Sequence, residues 1–99
     1  MNILADSTVE VVYTEEGFIP AADDRPEGAE VFTLRCLNYW EARAVLALTD
    51  DVAAIRRTLD LALVSIGGDA EKAKTFLSNP RAKLINPLFY AARDLYLGN

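Results

Sequence analysis

The chain of 99 residues contains no histidine and one cysteine, Cys36. These absences exclude a disulfide within the chain, zinc sites of the usual Cys/His kind, and hydrolases that use a histidine base. No apolar run approaches the ~20 residues that a membrane-spanning helix needs. The first residues also lack the basic segment and apolar stretch of a signal peptide. We therefore expect a protein of the cytoplasm that makes no membrane contact.

Basic residues are scarce at the N-terminal end. Residues 1–30 hold eight acidic residues against Arg25 alone, while the remainder is close to neutral, and the whole chain carries a net charge of −5. Such a field repels phosphate backbones, so no direct nucleic-acid partner is expected. The acidic segment either keeps the chain soluble or forms an acidic face for a basic partner. That alternative face would consist of Glu15, Glu16, Asp23, Asp24 and Glu27.

Apolar residues make up 52% of the chain and charged residues 25%, a balance that excludes a disordered polymer. At this length the sequence predicts one domain over residues 1–99. The distribution of acidic residues and the change of periodicity divide that single domain into two parts. Residues 1–36 are expected to form an acidic β ribbon with a long loop, and residues 37–99 a helical body.

Two segments alternate apolar and polar side chains with a period of two, at about residues 8–14 and 30–36. They predict two antiparallel strands. The connection between them, Glu15 to Ala29, is rich in glycine, proline and acidic residues and is expected to be a mobile loop. A two-stranded ribbon is marginal alone, so it should lie on the helices that follow. The predicted fold class is α+β.

About four helices are predicted after Asn38, which can cap the first helix in a capping box with Glu41. Trp40, Ala44, Val45 and Leu48 follow at helical spacing. A second helix begins near Asp50 and Asp51, which are expected to cap it. It carries an apolar stripe from Val52 through Leu59 to Ile66, where Gly67-Gly68 ends it. Leu59 and Ile66 are expected in the core. Asp69 caps a third helix, and Asn86 followed by Pro87 predicts a last helix over residues 87–97.

No catalytic, cofactor-binding or metal-ligating set is predicted. The adjacent acids in the loop and at Asp50-Asp51 have no basic or nucleophilic partner at a useful spacing. Gly67-Gly68 lacks the lysine of a phosphate-binding loop, and Cys36 is expected to be a small core residue. The chain is therefore predicted not to be an enzyme.

The last predicted helix carries two adjoining apolar faces, more than a core of this size can cover. Such a surface either packs on the other helices or binds a partner. The residues expected to bind protein are Leu88, Phe89, Ala92, Leu95 and Tyr96. Self-association would also cover them, so a homo-oligomer is expected.

Residues 31–41, VFTLRCLNYWE, combine a strand with a capped helix that begins directly after it. This junction resembles the small tail-assembly chaperone-like proteins of tailed bacteriophages, and the resemblance extends over residues 31–97. It implies a non-enzymatic assembly factor, located in the host cytoplasm, that holds a helix-rich tape-measure protein while tail-tube subunits polymerise. The implied partner is a phage structural or host protein. No site residues are transferred by the resemblance.

A second class of function remains open beside it. Small acidic proteins that lack cysteine pairs also act as anti-defence (anti-CRISPR-like) inhibitors, which block a nucleic-acid-binding or partner surface of a bacterial immune protein. In that case the acidic loop would be the working face. A chaperone would use its apolar helices instead.

Overall fold

The computed structural model describes residues 6–21 and 28–97. Four strands form one antiparallel sheet in the order β2-β1-β3-β4: β1 Thr8–Thr14, β2 Gly17–Pro20, β3 Val31–Arg35 and β4 Leu63–Ile66. The helices are α1 Tyr39–Leu46, α2 Asp51–Ala62, α3 Ala70–Ser78 and α4 Ala82–Leu97. The mixed α+β class is therefore confirmed, with a larger sheet than the predicted ribbon.

The predicted pairing of the two alternating segments is confirmed. β1 and β3 run antiparallel, and their register places Val9 opposite Leu34 and Val11 opposite Phe32. Residues opposite one another share a face of the sheet. This face therefore carries Phe32 and Leu34 into the core, where they are 1% and 0% exposed.

The predicted long loop is corrected at its beginning, because Gly17–Pro20 forms strand β2 and pairs with β1. Glu15 and Glu16 make a two-residue turn that Gly17 accommodates with a φ of 115°. The Tyr13 and Phe18 rings then meet edge to face, with centroids 5.4 Å apart. Asp23, Asp24 and Glu27, for which mobility was also predicted, lie outside the described residues.

The predicted second helix is corrected at its end. α2 stops at Ala62, and Leu63–Ile66 continues as strand β4 beside β3. Val64 and Ile66 are β-branched, and such residues favour an extended backbone. In the strand, Ile66 lies opposite Phe32 of β3. Leu59 and Ile66 are both in the core, 1% and 4% exposed, so that prediction is confirmed although Ile66 reaches the core from a strand.

The predicted start of the last helix at Pro87 is also corrected, since α4 begins at Ala82 and contains Pro87. Proline there removes one helical hydrogen bond, the one to the carbonyl of Lys83. Leu84 and Leu88, four residues apart on one face, are both buried. Their burial outweighs the missing bond and extends the helix across the junction.

The caps predicted for the first three helices are confirmed. Asn38, Asp50 and Asp69 each accept hydrogen bonds from N–H groups in the first turn that follows. The helices begin where short polar side chains satisfy their free N–H groups.

Candidate protein-binding surface

The residues predicted to bind protein on α4 are mostly part of the core. Leu88 and Ala92 are 0% exposed, and Leu95 and Tyr96 pack against the core cluster. Phe89 is half-buried, with the Arg93 guanidinium 5.8 Å from its ring centroid. Leu88 and Ala92 thus offer no surface in this conformation, because a four-stranded sheet gives α4 more to cover than a two-stranded ribbon would.

Tyr96 also has an internal role. Burial raises the pKa of Tyr96, while the nearby Arg93 charge and a side-chain hydrogen bond with Thr58 act in the opposite direction. Thr58 is itself fully buried and donates its hydroxyl to the Ala54 carbonyl at 2.8 Å. The Tyr96 side chain therefore connects α4 to α2.

The exposed apolar surface lies instead on α1. We use "the α1 face" for its outward residues Tyr39, Trp40, Arg43, Ala44 and Leu46. Trp40, the only tryptophan in the chain, is 78% exposed, and Tyr39 is 65% exposed. Their rings meet edge to face, with centroids 5.1 Å apart. The one charge on this face is Arg43.

Two buried residues, Ala42 and Val45, form the inner side of α1. The sequence pattern had placed Trp40 and Ala44 with Val45 on one stripe, and this is corrected: both are exposed. The capping box could have predicted which side of α1 faces the core, because it directs the Glu41 side chain back toward Asn38. With Glu41 held there, Trp40 is turned about 100° from it around the helix axis and lies opposite the buried Ala42 and Val45.

A network around Arg35 holds the start of α1. Both terminal nitrogens of Arg35 donate to the Glu41 carboxylate at 2.9 Å, and one also donates to the Leu61 carbonyl at 2.9 Å. Asp6 accepts a further bond at 2.7 Å. Glu41 accepts from the Asn38 backbone N–H as well, at 3.0 Å. The end of β3, the end of α2 and the start of α1 are therefore tied together.

This network lowers the pKa of Glu41, chiefly through the hydrogen bonds from Arg35, against the opposing effect of burial. The same pair raises the pKa of Arg35. Arg35 and Glu41 therefore stay charged and paired, and the aromatic rings of Tyr39 and Trp40 stand on a rigid helix start.

Each described sheet edge is partly blocked against strand addition. On β2, the Ala21 N–H donates to the Glu10 carbonyl at 2.9 Å. By alternation, the backbone groups of Phe18 and Pro20 point away from β1, toward the open edge of the sheet. Pro20 has no N–H to offer a further strand. On β4, the outward N–H and carbonyl of Ile66 both bond to Asp69. These two features disfavour a partner that binds by strand addition.

An acidic cleft lies at the far end of the sheet, between the β1–β2 turn and α4. It has a volume of about 370 Å³ and is lined by three carboxylates, those of Glu15, Glu16 and Asp94. Tyr13, Phe18 and Tyr90 contribute aromatic surface. Of the predicted acidic face, only Glu15 and Glu16 belong to the described residues. Asp94 was missed because 78 residues separate it from Glu16 in the chain.

Other reactive groups are occupied or buried. Burial raises the pKa of the Cys36 thiol, which lies 3.5 Å from the Leu95 carbonyl oxygen. A larger cleft, about 660 Å³, contains Arg81 paired with Glu30 at 2.7 Å. Within residues 6–21 and 28–97, no group of three His, Cys, Asp or Glu side chains could hold a metal ion.

None of the helices in the described part of the chain is long and apolar enough to cross a membrane. Comparison of the chain with models of protein families, with curated proteins and with solved structures finds no match.

Proposed function

We propose that this chain is a non-enzymatic protein-binding factor and that the α1 face is its docking surface. The observation that carries the proposal is the exposure of Trp40 on a helix start that four hydrogen bonds of Arg35 hold in place. Tryptophan, tyrosine and arginine are the residue types most enriched among binding hot spots. The α1 face presents all three within two turns of helix.

Rigidity strengthens this interpretation. An aromatic anchor contributes most to affinity when its conformation is already set before binding, because less entropy is lost on association. The capping box and the Arg35–Glu41 pair provide that preorganisation for Tyr39 and Trp40. A bundle helix with no partner would normally present charged residues here.

The resemblance to tail-assembly chaperones supplies a specific form of this function. In that form the chain is an assembly factor of the host cytoplasm that binds a helix-rich tape-measure protein through the α1 face. An exposed apolar helix surface suits a partner that is itself helical.

The acidic anti-defence inhibitor is the second candidate, supported by the cleft of Glu15, Glu16 and Asp94. No lysine or arginine is among the described residues that line this cleft. A basic partner would be attracted there by charge, and its binding would weaken with salt.

Trp40 provides the test, since its emission reports on its own burial. Purified chain is titrated with a helical tape-measure segment and, separately, with a basic nucleic-acid-binding protein. We expect a blue shift and reduced quenching by acrylamide with the tape-measure segment. Calorimetric titration, which needs no tryptophan, should show that Trp40→Ala weakens that binding about thirtyfold, the effect of losing ~2 kcal/mol at a hot spot.

Leu46 and Leu97 give a matched pair of variants, because they are 55% and 56% exposed on different helices. Leu46→Ala should weaken binding and Leu97→Ala should not. Binding of the tape-measure segment that is unchanged in Trp40→Ala would contradict the proposed surface. Binding of the basic protein alone, lost on reversing Glu15 and Glu16, would favour the inhibitor.

A further inference from the structure

We propose that the α1 face of one copy docks into the acidic cleft of a second copy, so that copies associate head to tail. The inference rests on the proposed function, because it uses the same docking surface and names its partner as another molecule of this chain. Charge complementarity between the two surfaces carries it.

The receiving surface is the cleft between the β1–β2 turn and α4. Its carboxylates come from Glu15, Glu16 and Asp94, and all three side chains are exposed. Tyr90, half-exposed, supplies an aromatic wall. Two cations of the same chain lie beside the cleft, Arg93 at 4.9 Å from the Tyr90 ring centroid and Lys83 at 5.8 Å from the Tyr13 ring centroid, and the three carboxylates outnumber them. An acidic rim around aromatic rings is suited to an arginine accompanied by apolar side chains.

The inserting surface has the opposite character. Among the exposed residues of α1 only Arg43 is charged, and it lies one turn beyond Tyr39 and Trp40. The helix's single carboxylate, Glu41, is held on the other side by Arg35. The rings of Tyr39 and Trp40 can therefore contact the aromatic wall of the cleft. The Arg43 guanidinium, one turn further on, can pair with the carboxylates at its rim.

The sheet places these two surfaces at opposite ends. Thr8, at the start of β1, is opposite Arg35, and α1 begins four residues after Arg35. The end of β1 leads directly into Glu15 and Glu16. A strand of seven residues spans about 23 Å, so a molecule cannot dock its own α1 face into its own cleft.

When each copy docks into the next, contact between two different surfaces is heterologous and builds closed rings or open filaments. Each copy then has one surface that inserts and one that receives.

The experiment uses two variants of the full chain, Arg43→Ala with a defective inserting surface and Glu15→Lys/Glu16→Lys with a defective cleft. Sedimentation velocity of the unchanged chain should show concentration-dependent association that weakens as salt is raised. Each variant alone should associate at least tenfold more weakly. An equimolar mixture should form a one-to-one dimer and no larger species, because only one intact interface remains.

The altered side chains are all exposed, and circular dichroism checks that each variant is folded. The control is the exchange Glu71→Lys/Lys74→Glu, a pair that is 80% and 75% exposed on α3, and it should associate like the unchanged chain. A monomeric unchanged chain, undiminished association of Glu15→Lys/Glu16→Lys, or a monomeric mixture would each overturn the inference.

These results also separate this inference from the proposed function. A monomeric chain that loses a foreign partner in Trp40→Ala retains the proposed function without self-association. Self-association that Trp40→Ala leaves unchanged would remove the α1 face from the interface and overturn this inference, whatever foreign partner is bound.

Discussion

Leu59→Ala is expected to lower the free energy of unfolding by ~2–5 kcal/mol, the range for truncating a buried leucine. Leu59 is 1% exposed and lies on α2, in the core cluster that joins the sheet to α4. Replacing its isobutyl group with a methyl group leaves a cavity whose walls belong to different elements and cannot readily close together. Urea unfolding, followed by circular dichroism, measures the change.

Two control variants make this result interpretable. Leu59→Met keeps the volume and should cost less than ~1.5 kcal/mol. Val52→Ala, on the same helix but at a residue that is 73% exposed, should stay within about 0.5 kcal/mol. A similar small loss in Leu59→Ala would mean that α2 presents a different side to the core.

Glu41→Gln is expected to lower the free energy of unfolding by about 1–3 kcal/mol at neutral pH, the range for hydrogen bonds to a charged group. Glutamine retains an oxygen for the Asn38 N–H but cannot pair with both nitrogens of Arg35 as a carboxylate does. The paired side chains are 22% and 23% exposed, so water screens part of the Coulomb energy. Arg35 would then be left with Asp6 and the Leu61 carbonyl.

The contribution of Glu41 depends on pH in a defined direction. Its pKa is lower in the folded chain than in the unfolded chain, so the folded state favours the carboxylate. The stabilisation is complete above the unfolded pKa, ~4.3 for glutamate, and disappears as the pH falls through the lower folded pKa. The unchanged chain should therefore lose this increment in acid, whereas Glu41→Gln should not.

Unfolding measured from neutral to acidic pH tests this difference. Glu71→Gln is the control, because Glu71 is 80% exposed and lies 3.5 Å from Lys74, an arrangement that contributes little. Parallel pH profiles for the unchanged chain and Glu41→Gln would show that the Arg35–Glu41 pair does not contribute to folding.

The predictions that succeeded rest on local rules. Asn38, Asp50 and Asp69 were assigned as caps because a short polar side chain before a helical pattern satisfies free N–H groups nearby in the chain. The pairing of β1 with β3 followed from alternation, which determines the face that each side chain occupies. Neither rule depends on distant contacts.

The candidate site was less predictable for the opposite reason. Trp40 has the same helical spacing whether it points inward or outward, and its exposure depends on the contact of Glu41 with Arg35 in a neighbouring strand. The acidic cleft needs Asp94 beside the β1–β2 turn, which only the packing of α4 provides.

The sequence by itself determined the α+β class, the starts of the first three helices and the core position of Leu59, because these follow from periodicity and from hydrogen bonds between near neighbours. Tertiary structure decided that Leu63–Ile66 is a strand, that Leu88 and Ala92 are buried, and that Trp40 is exposed. An apolar residue can satisfy its pattern in the core or on a surface. Which of the two occurs depends on whether another helix or strand packs over the residue, and that helix or strand is distant in the chain.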